Sequence, residues 1–556
     1  MFRHKRQQRS LFDHDVYLPD ERVAALDKTW AGPFRRNILP LIDEDPFEPF
    51  YCPDNGRPNV SVAILLGLCI LKEWHNLTDA ELLGSLEWDI RWQYALDVNL
   101  EEGYVCQKTL HNFRALVATN RMAEKVFADI TGKIIRDAGL STAKQRLDST
   151  HVVSNMANLS RLGLFVRTME KFLARLQKAH PETFSRLPAM YREVYLERAG
   201  YFADVKSSKA RRRLEKCARH LFDLVDRFRG DHDVEIMHAY RLMARLLDEQ
   251  CEITANAAEP VVLKKPADVS AESLQNPSDP DATYGHKGKG YKASLAETCG
   301  EKNSFQVITD VALENANQPD AKDVVPVLER LDALDAKPGE LFADAGYGSG
   351  ENLLDAKERG VDLAAPMTSG SKPQENHVRI DDFVFDSDWT RILFCLEEHA
   401  PAKTGLTPNG KDVFAVFEES VCGRCEFKPV CPVKRHKNGT FRLRVARKTV
   451  AAASRRCEQE TELFKKRYKI RSGIEATISE ANRLTSLKRS WTRGRVRFAA
   501  SICFKVLAIN VKRYVQNEAE KARKAINNVV YLPKSAAQGH PSSQFFISER
   551  NLLLAA

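Results

Sequence analysis

The order in which strand-like and helix-like stretches alternate narrows the fold most. Five short runs read as strands: Lys144 to Val153 (KQRLDSTHVV), Tyr284 to Ala296 (YGHKGKGYKASLA), Phe305 to Glu314 (FQVITDVALE), Glu340 to Ser349 (ELFADAGYGS) and Val361 to Pro366 (VDLAAP). Each combines apolar or β-branched residues with turn-forming flanks. Between the first and the second lies a long block, Asn155 to about Val262, whose apolar residues recur at three and four, as in RTMEKFLARLQKAH, YREVYLERAG, RRRLEKCARHLFDLVDRF and IMHAYRLMARLLDEQ. That is the pattern of amphipathic helices in series, and Pro266 to Pro280 reads as the linker out of them. Helices at Asp323 to Leu334 and Glu351 to Arg359 separate the last three strands. A mixed sheet with helices packed on it, interrupted by a helical insertion, follows from this order.

Three acids stand where chemistry is expected. Asp148 lies near the centre or exit of the first strand, and Asp344 ends the fourth, just before Gly346 and Gly348. A carboxylate at a strand's carboxyl end, followed by glycines, sits where a ligand approaches backbone closely. Glu475 lies in Tyr468 to Asn482 (YKIRSGIEATISEAN), which reads as one helix. Its surroundings are very basic: Lys434 to Arg513 holds 23 Lys and Arg against 5 Glu and no Asp. Such clustering suits a polyanion, most simply nucleic acid, and Glu475 can then hold a divalent cation against its phosphates. Glu480 faces another way on the helix and reads as a solvated surface charge. Lys287, Lys289 and Lys292 alternate along an exposed strand and suit sequence-independent backbone contact. Trp491, in KRSWTRGR, can stack on an exposed base or fill a core. His151 and His286 are given no catalytic role.

The chain of 556 residues is too long for one core. No apolar run reaches membrane-spanning length, and no apolar segment follows the basic N-terminus as in a secretory signal, so a cytoplasmic location is expected. The longest apolar stretch, Phe498 to Val511, reads as a buried helix although it contains Lys505. Residues 1–58, rich in Pro, Asp and Phe, promise little regular structure. SVAILLGLCILKEWH, LTDAELLGSLEWD and QKTLHNFRALVAT read as three short helices, a helix-turn-helix-like DNA-binding unit, with Thr78 and Glu81 forming a capping box. Gly370 to His436 is turn-rich and cysteine-bearing. Cys422 and Cys425 form CxxC, Cys431 follows, and Cys395 is a candidate fourth thiolate, a set that suits tetrahedral Zn²⁺ or, unliganded, redox thiols. The charge of +9 and twelve scattered cysteines exclude a disulfide scaffold.

The strand order is that of the α/β ribonuclease-H-like fold, in which the first and fourth strands are neighbours and a late helix packs beside them. RLDSTHV, FADAGYGSGEN and YKIRSGIEATISEANRL together resemble the motifs of bacterial insertion-sequence transposases of the DDE type. Tyr468, Arg471 and Glu475 fall in step with that family's Y-x2-R-x3-E-x6-K signature, and Asn482 stands where the signature has its Lys. The N-terminal helical segment and the cysteine cluster before the last helix resemble family features too. The likeness covers roughly residues 55 to 515.

This resemblance implies a ribonuclease-H-like core in residues 141–154, 281–368 and 447–515. Around it stand a basic arm (1–58), a helical DNA-binding domain (59–140), a helical insertion (155–280), a Cys-rich insertion (369–446) and a tail (516–556). It implies Asp148, Asp344 and Glu475 as catalytic ligands of two Mg²⁺ or Mn²⁺ ions, and one structural Zn²⁺ at the cysteines. Tyr468, Arg471, Arg483, Lys287, Lys289, Lys488, Arg489 and Trp491 become DNA contacts. The partners implied are terminal inverted repeats and target DNA, bound by a homodimer. The competing readings are a nuclease of the same fold that cuts without joining, and a DNA-binding protein without catalysis.

Overall fold

In a computed structural model, which describes residues 1–5, 13–53, 55, 56, 58–99, 102–197, 207–256, 258–368 and 377–530, the strand-like runs assemble into one six-stranded mixed sheet. Its strands are β1 (Lys144–Val152), β2 (Thr283–Gly285), β3 (Gly288–Thr298), β4 (Ile308–Asn315), β5 (Glu340–Ala343) and β6 (Asp362–Ala364). β1 is central. It pairs antiparallel with β3 and parallel with β5; β3 continues to β4, and β5 to β6. Apart from short β2, which pairs with the start of β3, this is the ribonuclease-H-like order expected: third, second, first, fourth, fifth.

The run expected as one exposed strand, Tyr284 to Ala296, is instead the β2–β3 hairpin, and nearly all of β3 is buried. Helices cover both faces of the sheet. One face carries Val152, Tyr291, Ala293, Leu295 and Ile308, in one core with the N-terminal helices and the long C-terminal helix. The other carries Leu147, Ala296, Leu341 and Ala343, against the helices that follow β4 and β5.

The N-terminal region corrects one expectation. Residues 1–58 are not an irregular arm: helices α1 (Asp20–Asp27) and α2 (Ala31–Asn37) and two 3-10 turns form there, and Phe34, Ile38 and Phe47 are fully buried. Their proline and aspartate residues mark helix starts as well as turns. After them come α3 (Val62–His75), α4 (Asp79–Trp88), α5 (Ile90–Leu96), α6 (Gln107–Thr119) and α7 (Met122–Ala138). The Thr78–Glu81 capping box forms at α4, a device that contributes about 1 kcal/mol.

The insertion after β1 builds α8 (Arg161–Ala179), α9 (Ser207–Arg227) and α10 (His238–Gln250) around its own core of Phe165, Phe172, Leu221, Met243 and Leu246. Part of the YREVYLERAG run, at 198–200, falls outside the described residues. Helices α11 (Val324–Ala333) and α12 (Gly350–Glu358) follow β4 and β5. Next, a four-stranded antiparallel sheet forms from β7 (Lys403–Leu406), β8 (Asp412–Phe417), β9 (Lys434–Arg435) and β10 (Phe441–Ala446), in the order β7-β8-β10-β9.

The last part is helical: α13 (Arg447–Gln459), α14 (Glu462–Tyr468), α15 (Gly473–Thr485) and α16 (Arg495–Val530). Tyr468 to Asn482 is therefore not one helix. α14 ends at Tyr468, a 3-10 turn spans Lys469–Ser472, and α15 starts at Gly473. α16 extends through 516–530, where a loose tail was expected; the remainder of that tail lies outside the described residues. Lys505 explains how a charge sits inside α16: its ammonium is buried but donates to the Thr485 carbonyl and pairs with Glu73 at 3.0 Å. A buried ammonium without such partners would cost several kcal/mol (roughly). Lys505 thereby ties α3 to the end of α15.

Candidate active site

The β1–β5 ladder brings the first two acids together. Its last pair is Leu147 with Ala343, so Asp148 and Asp344 are the next residues on two adjacent parallel strands. Neighbouring strands lie about 4.8 Å apart. Asp148 is fixed by the Ser149 amide, which donates to its Oδ1 at 2.7 Å; the Gly346 amide donates to Asp344 Oδ1 at 2.8 Å. In both cases the chain turns back on the carboxylate within two residues.

Glu475 arrives from α15, and a buried clamp sets that helix in place. Glu297 of β3 is fully buried and accepts from Arg146 Nε (2.7 Å), Arg513 Nη1 (2.7 Å) and Thr477 Oγ1 (2.6 Å). Thr477 lies on α15, Arg513 on α16 and Arg146 on β1. Two guanidiniums around one carboxylate give it the paired, hydrogen-bonded environment that a buried charge requires. Arg146 also donates to the Ile470 carbonyl at 3.2 Å, beside the start of α15. Glu480, expected to be a solvated charge, is instead part of this clamp: Arg513 Nη2 donates to it at 2.6 Å. Tyr468 approaches from the other side, and its hydroxyl donates to the Ala343 carbonyl at 3.0 Å. The tyrosine is thus committed to the backbone that carries Asp344.

Arg471 sits where these elements meet. Its guanidinium contacts Asp148 Oδ2 at 2.9 Å, Glu475 Oε1 at 2.8 Å and Asp344 Oδ2 at 3.7 Å. One cationic group therefore touches all three acids that the sequence singled out. Asp148 is buried and Asp344 half-buried, whereas the Glu475 side chain is 64% exposed and forms the rim. Burial raises the pKa of Asp148; Arg471 opposes the shift, and Asp344 and Asp320 add to it. Burial likewise raises the Tyr468 phenol. Three carboxylates around a shared positive charge offer only hard oxygen donors, which match Mg²⁺ or Mn²⁺. Among the described residues, no group of three or more His, Cys, Asp or Glu is already arranged as a closed metal cage.

The expected nucleic-acid contacts divide into two sets. Arg483, Lys488, Arg489 and Trp491 are all exposed, on the end of α15 and the loop after it. Arg489 lies over the Trp491 ring at 5.6 Å. That loop is attached to the end of β1: the Val153 amide donates to the Lys488 carbonyl at 2.9 Å, and Asn155 Nδ2 donates to the Trp491 carbonyl at 3.1 Å. Trp491 is 65% exposed, so it does not fill a core. On the β2–β3 hairpin only Lys287 is exposed; Lys289 donates to the Leu159 carbonyl at 2.6 Å. Lys292, expected on an exposed strand, is buried and pairs with Asp320 and Asp323, both at 2.8 Å. His151 is half-buried and held below the usual histidine pKa by burial, and His286 is exposed.

The four cysteines gather at the edge of the β7–β10 sheet. Cys395, Cys422 and Cys431 pack against its core, and burial together with Cys431, Cys395 and Cys425 pushes the Cys422 thiol up to about 11. Like charges that raise one another identify thiols close in space. A histidine also stands there, contrary to expectation: His399 Nδ1 is 3.8 Å from Cys395 Sγ.

Sequence reasoning missed Asp320, Ser149 and Tyr347 beside the acids, and the Glu297 clamp behind them. Asp320 sits in NQPD, which reads only as a turn. Nothing in spacing along the chain reports a partner reached across the sheet.

Two family models match the chain. One, described as a transposase DDE domain, matches residues 398–515; another, described as a transposase domain (DUF772), matches residues 24–116. The first takes in Arg471, Glu475, Cys422, Cys425 and Cys431, and Asp148 and Asp344 lie outside it. No curated protein and no solved structure matches the chain. Among the described residues no helix is long and apolar enough to cross a membrane.

Proposed function

The chain belongs to the DDE-type insertion-sequence transposases, enzymes that cut and transfer DNA with divalent metal ions, and from that premise we propose that Asp148, Asp344 and Glu475 are its catalytic carboxylates. The observation that carries this reading is the Arg471 guanidinium, which touches all three. The protein binds the terminal inverted repeats of its element, breaks the strands there and joins them to a target.

The three carboxylates would hold two Mg²⁺ or Mn²⁺ ions. When bound, such ions make the attacking water or 3′-hydroxyl more acidic and stabilise the leaving 3′-oxygen. The chain's own groups supply position. Ser149 and Gly346 amides aim the two aspartates, and the Glu297 clamp holds the rim carboxylate opposite them. Once cations neutralise the acids, Arg471 is released to bind the phosphate next to the cut, which its planar fork suits. Tyr468 keeps the strand under Asp344 in place and contacts DNA only through its ring edge.

Arg483, Lys488, Arg489 and Lys287 line the DNA path, with Lys289 in a supporting place, and Trp491 stacks on a base at the opened end. The helices at 59–140 bind the repeat as a helix-turn-helix-like unit, and the insertion at 155–280 spaces the core from its neighbour in a homodimer on DNA. Cys395, Cys422, Cys425 and Cys431 hold one structural Zn²⁺.

A strand-transfer assay with the element's terminal repeats tests the whole reading. Cutting followed by joining supports it. Cutting alone leaves a nuclease, and binding without cutting leaves a silent DNA-binding protein.

A further inference from the structure

A fourth carboxylate stands beside the three. Asp320 lies at the start of the turn that leads into α11, and its Oδ1 accepts from Ser149 Oγ at 2.9 Å and from Lys292 Nζ at 2.8 Å. Ser149 is the residue whose amide orients Asp148, so one residue holds both acids. Lys292 is itself buried and fixed: it donates to the Gln318 carbonyl at 2.9 Å and pairs with Asp323, whose other oxygen accepts from Gln318 Nε2 at 2.7 Å. Both bonds to Asp320 use Oδ1. Its Oδ2 turns toward Asp344: a Cβ built on Gly346 would stand 3.2 Å from Asp320 Oδ2 and 3.0 Å from Asp344 Oδ1. The glycine leaves open the space that these two oxygens border.

A second observation points at the same place. Tyr347 is fully buried, yet its hydroxyl has no hydrogen-bond partner among the described residues. Burial raises its pKa, and the charges that act on it are Asp320, Asp148 and Asp323. A buried hydroxyl without a partner is unusual in a folded protein and calls for an acceptor at that position. The hydration shell of a cation held by the neighbouring carboxylates supplies one.

We propose that Asp320 is a fourth cation-holding carboxylate of the pocket, acting through Oδ2 opposite Asp344, with Lys292 and Ser149 fixing its orientation and the Tyr347 hydroxyl donating to the cation's bound water. This rests on the assignment of Asp148 and Asp344 above. A turn residue, not a strand or the late helix, then completes the acidic lining. The lysine on its other oxygen keeps the carboxylate ionised and aimed, as charge partners behind metal ligands do.

Mn²⁺ titration of the full-length protein, without DNA, tests it. Asp320→Asn is compared with wild type, Asp148→Asn and Asp344→Asn, and the melting of each metal-free protein is recorded alongside. The proposal expects Asp320→Asn to bind Mn²⁺ at least about tenfold more weakly, within the range for lost metal-supporting groups, with metal-free melting at or above wild type. Wild-type affinity in Asp320→Asn, with affinity lost in Asp148→Asn and Asp344→Asn, overturns the proposal alone. Wild-type affinity in all three overturns the assignment of the catalytic acids, and this proposal falls with it. If Asp320→Asn does not fold, Asp320→Glu decides. It keeps a charge for Lys292, so a purely structural role leaves Mn²⁺ affinity intact and refutes the proposal, whereas a displaced ligand oxygen weakens it.

Discussion

Gly473 opens the helix that carries Glu475, and replacing it by alanine sets two physical rules against each other. Its backbone is helical, φ −62° and ψ −20°, so local propensity favours alanine by about 1 kcal/mol. The tertiary setting opposes it. A Cβ on Gly473 would run into the Arg146 guanidinium, with Cζ only 2.7 Å away. That guanidinium cannot swing aside freely, because it is bound to buried Glu297 and to the Ile470 carbonyl. Each hydrogen bond to a charged group contributes about 1.5–3 kcal/mol, and Glu297 keeps Arg513 and Thr477 if Arg146 leaves. The loss of about 3 kcal/mol less the gain of about 1 gives a net destabilisation of about 2 kcal/mol. If α15 shifts instead, Glu475 moves with it, and a displacement of about 1 Å can cost about 100-fold in rate. Urea denaturation and a strand-cleavage assay on Gly473→Ala read the two consequences. In the double variant with Arg146→Met the clash disappears, so the penalties will not add. A Gly473→Ala protein as stable and as active as wild type would refute the clamp as the device that positions Glu475.

Four further outcomes follow from the same geometry. Because burial raises the Asp148 pKa in the fold, this group favours the native state below its unfolded pKa of about 3.9 and opposes it once pH passes the raised value. Asp148→Asn should therefore melt at or above wild type at pH 7, with the difference vanishing near pH 4, while cleavage is abolished. Arg471→Gln removes the charge shared by three acids; without metal its stability should fall by about 2 kcal/mol, and Mg²⁺ should restore part of it by mass action. Trp491→Ala should weaken binding to an opened DNA end by about 1–3 kcal/mol and Trp491→Phe by less, as read by fluorescence anisotropy, with melting unchanged. Cys422→Ser should lower the zinc content of the purified protein and loosen the β7–β10 sheet, both seen on elemental analysis and limited proteolysis.

The sheet was legible because its strands are short, β-branched and bounded by turns, and because two of them end in acids. The strand order placed Asp148 and Asp344 side by side, and the β1–β5 register bears that out at Leu147–Ala343. Tertiary terms were not legible. Helical periodicity alone carried Tyr468 through Asn482 as one helix, yet Tyr468 turns to the Ala343 carbonyl and a 3-10 turn aims Arg471 inward. The lysines of the β2–β3 hairpin look exposed in a Lys–Gly alternation, and buried aspartates 28 and 31 positions beyond Lys292 reverse that for one of them. Proline-rich residues 1–58 form helices because Phe34, Ile38 and Phe47 have a core to enter. Glu480 and Lys505 read as charges to be solvated or excused until Arg513 and Glu73 supply partners from distant helices.

The claim that carries the account is that segments around residues 148, 344 and 475 share one cation. Fe²⁺ in place of Mg²⁺, with peroxide and ascorbate, cuts the polypeptide backbone wherever it lies near the bound ion. The account predicts cuts clustered at those three segments, suppressed by excess Mg²⁺ and absent from Asp148→Asn. Cuts confined to one segment, or unchanged in Asp148→Asn, would contradict it.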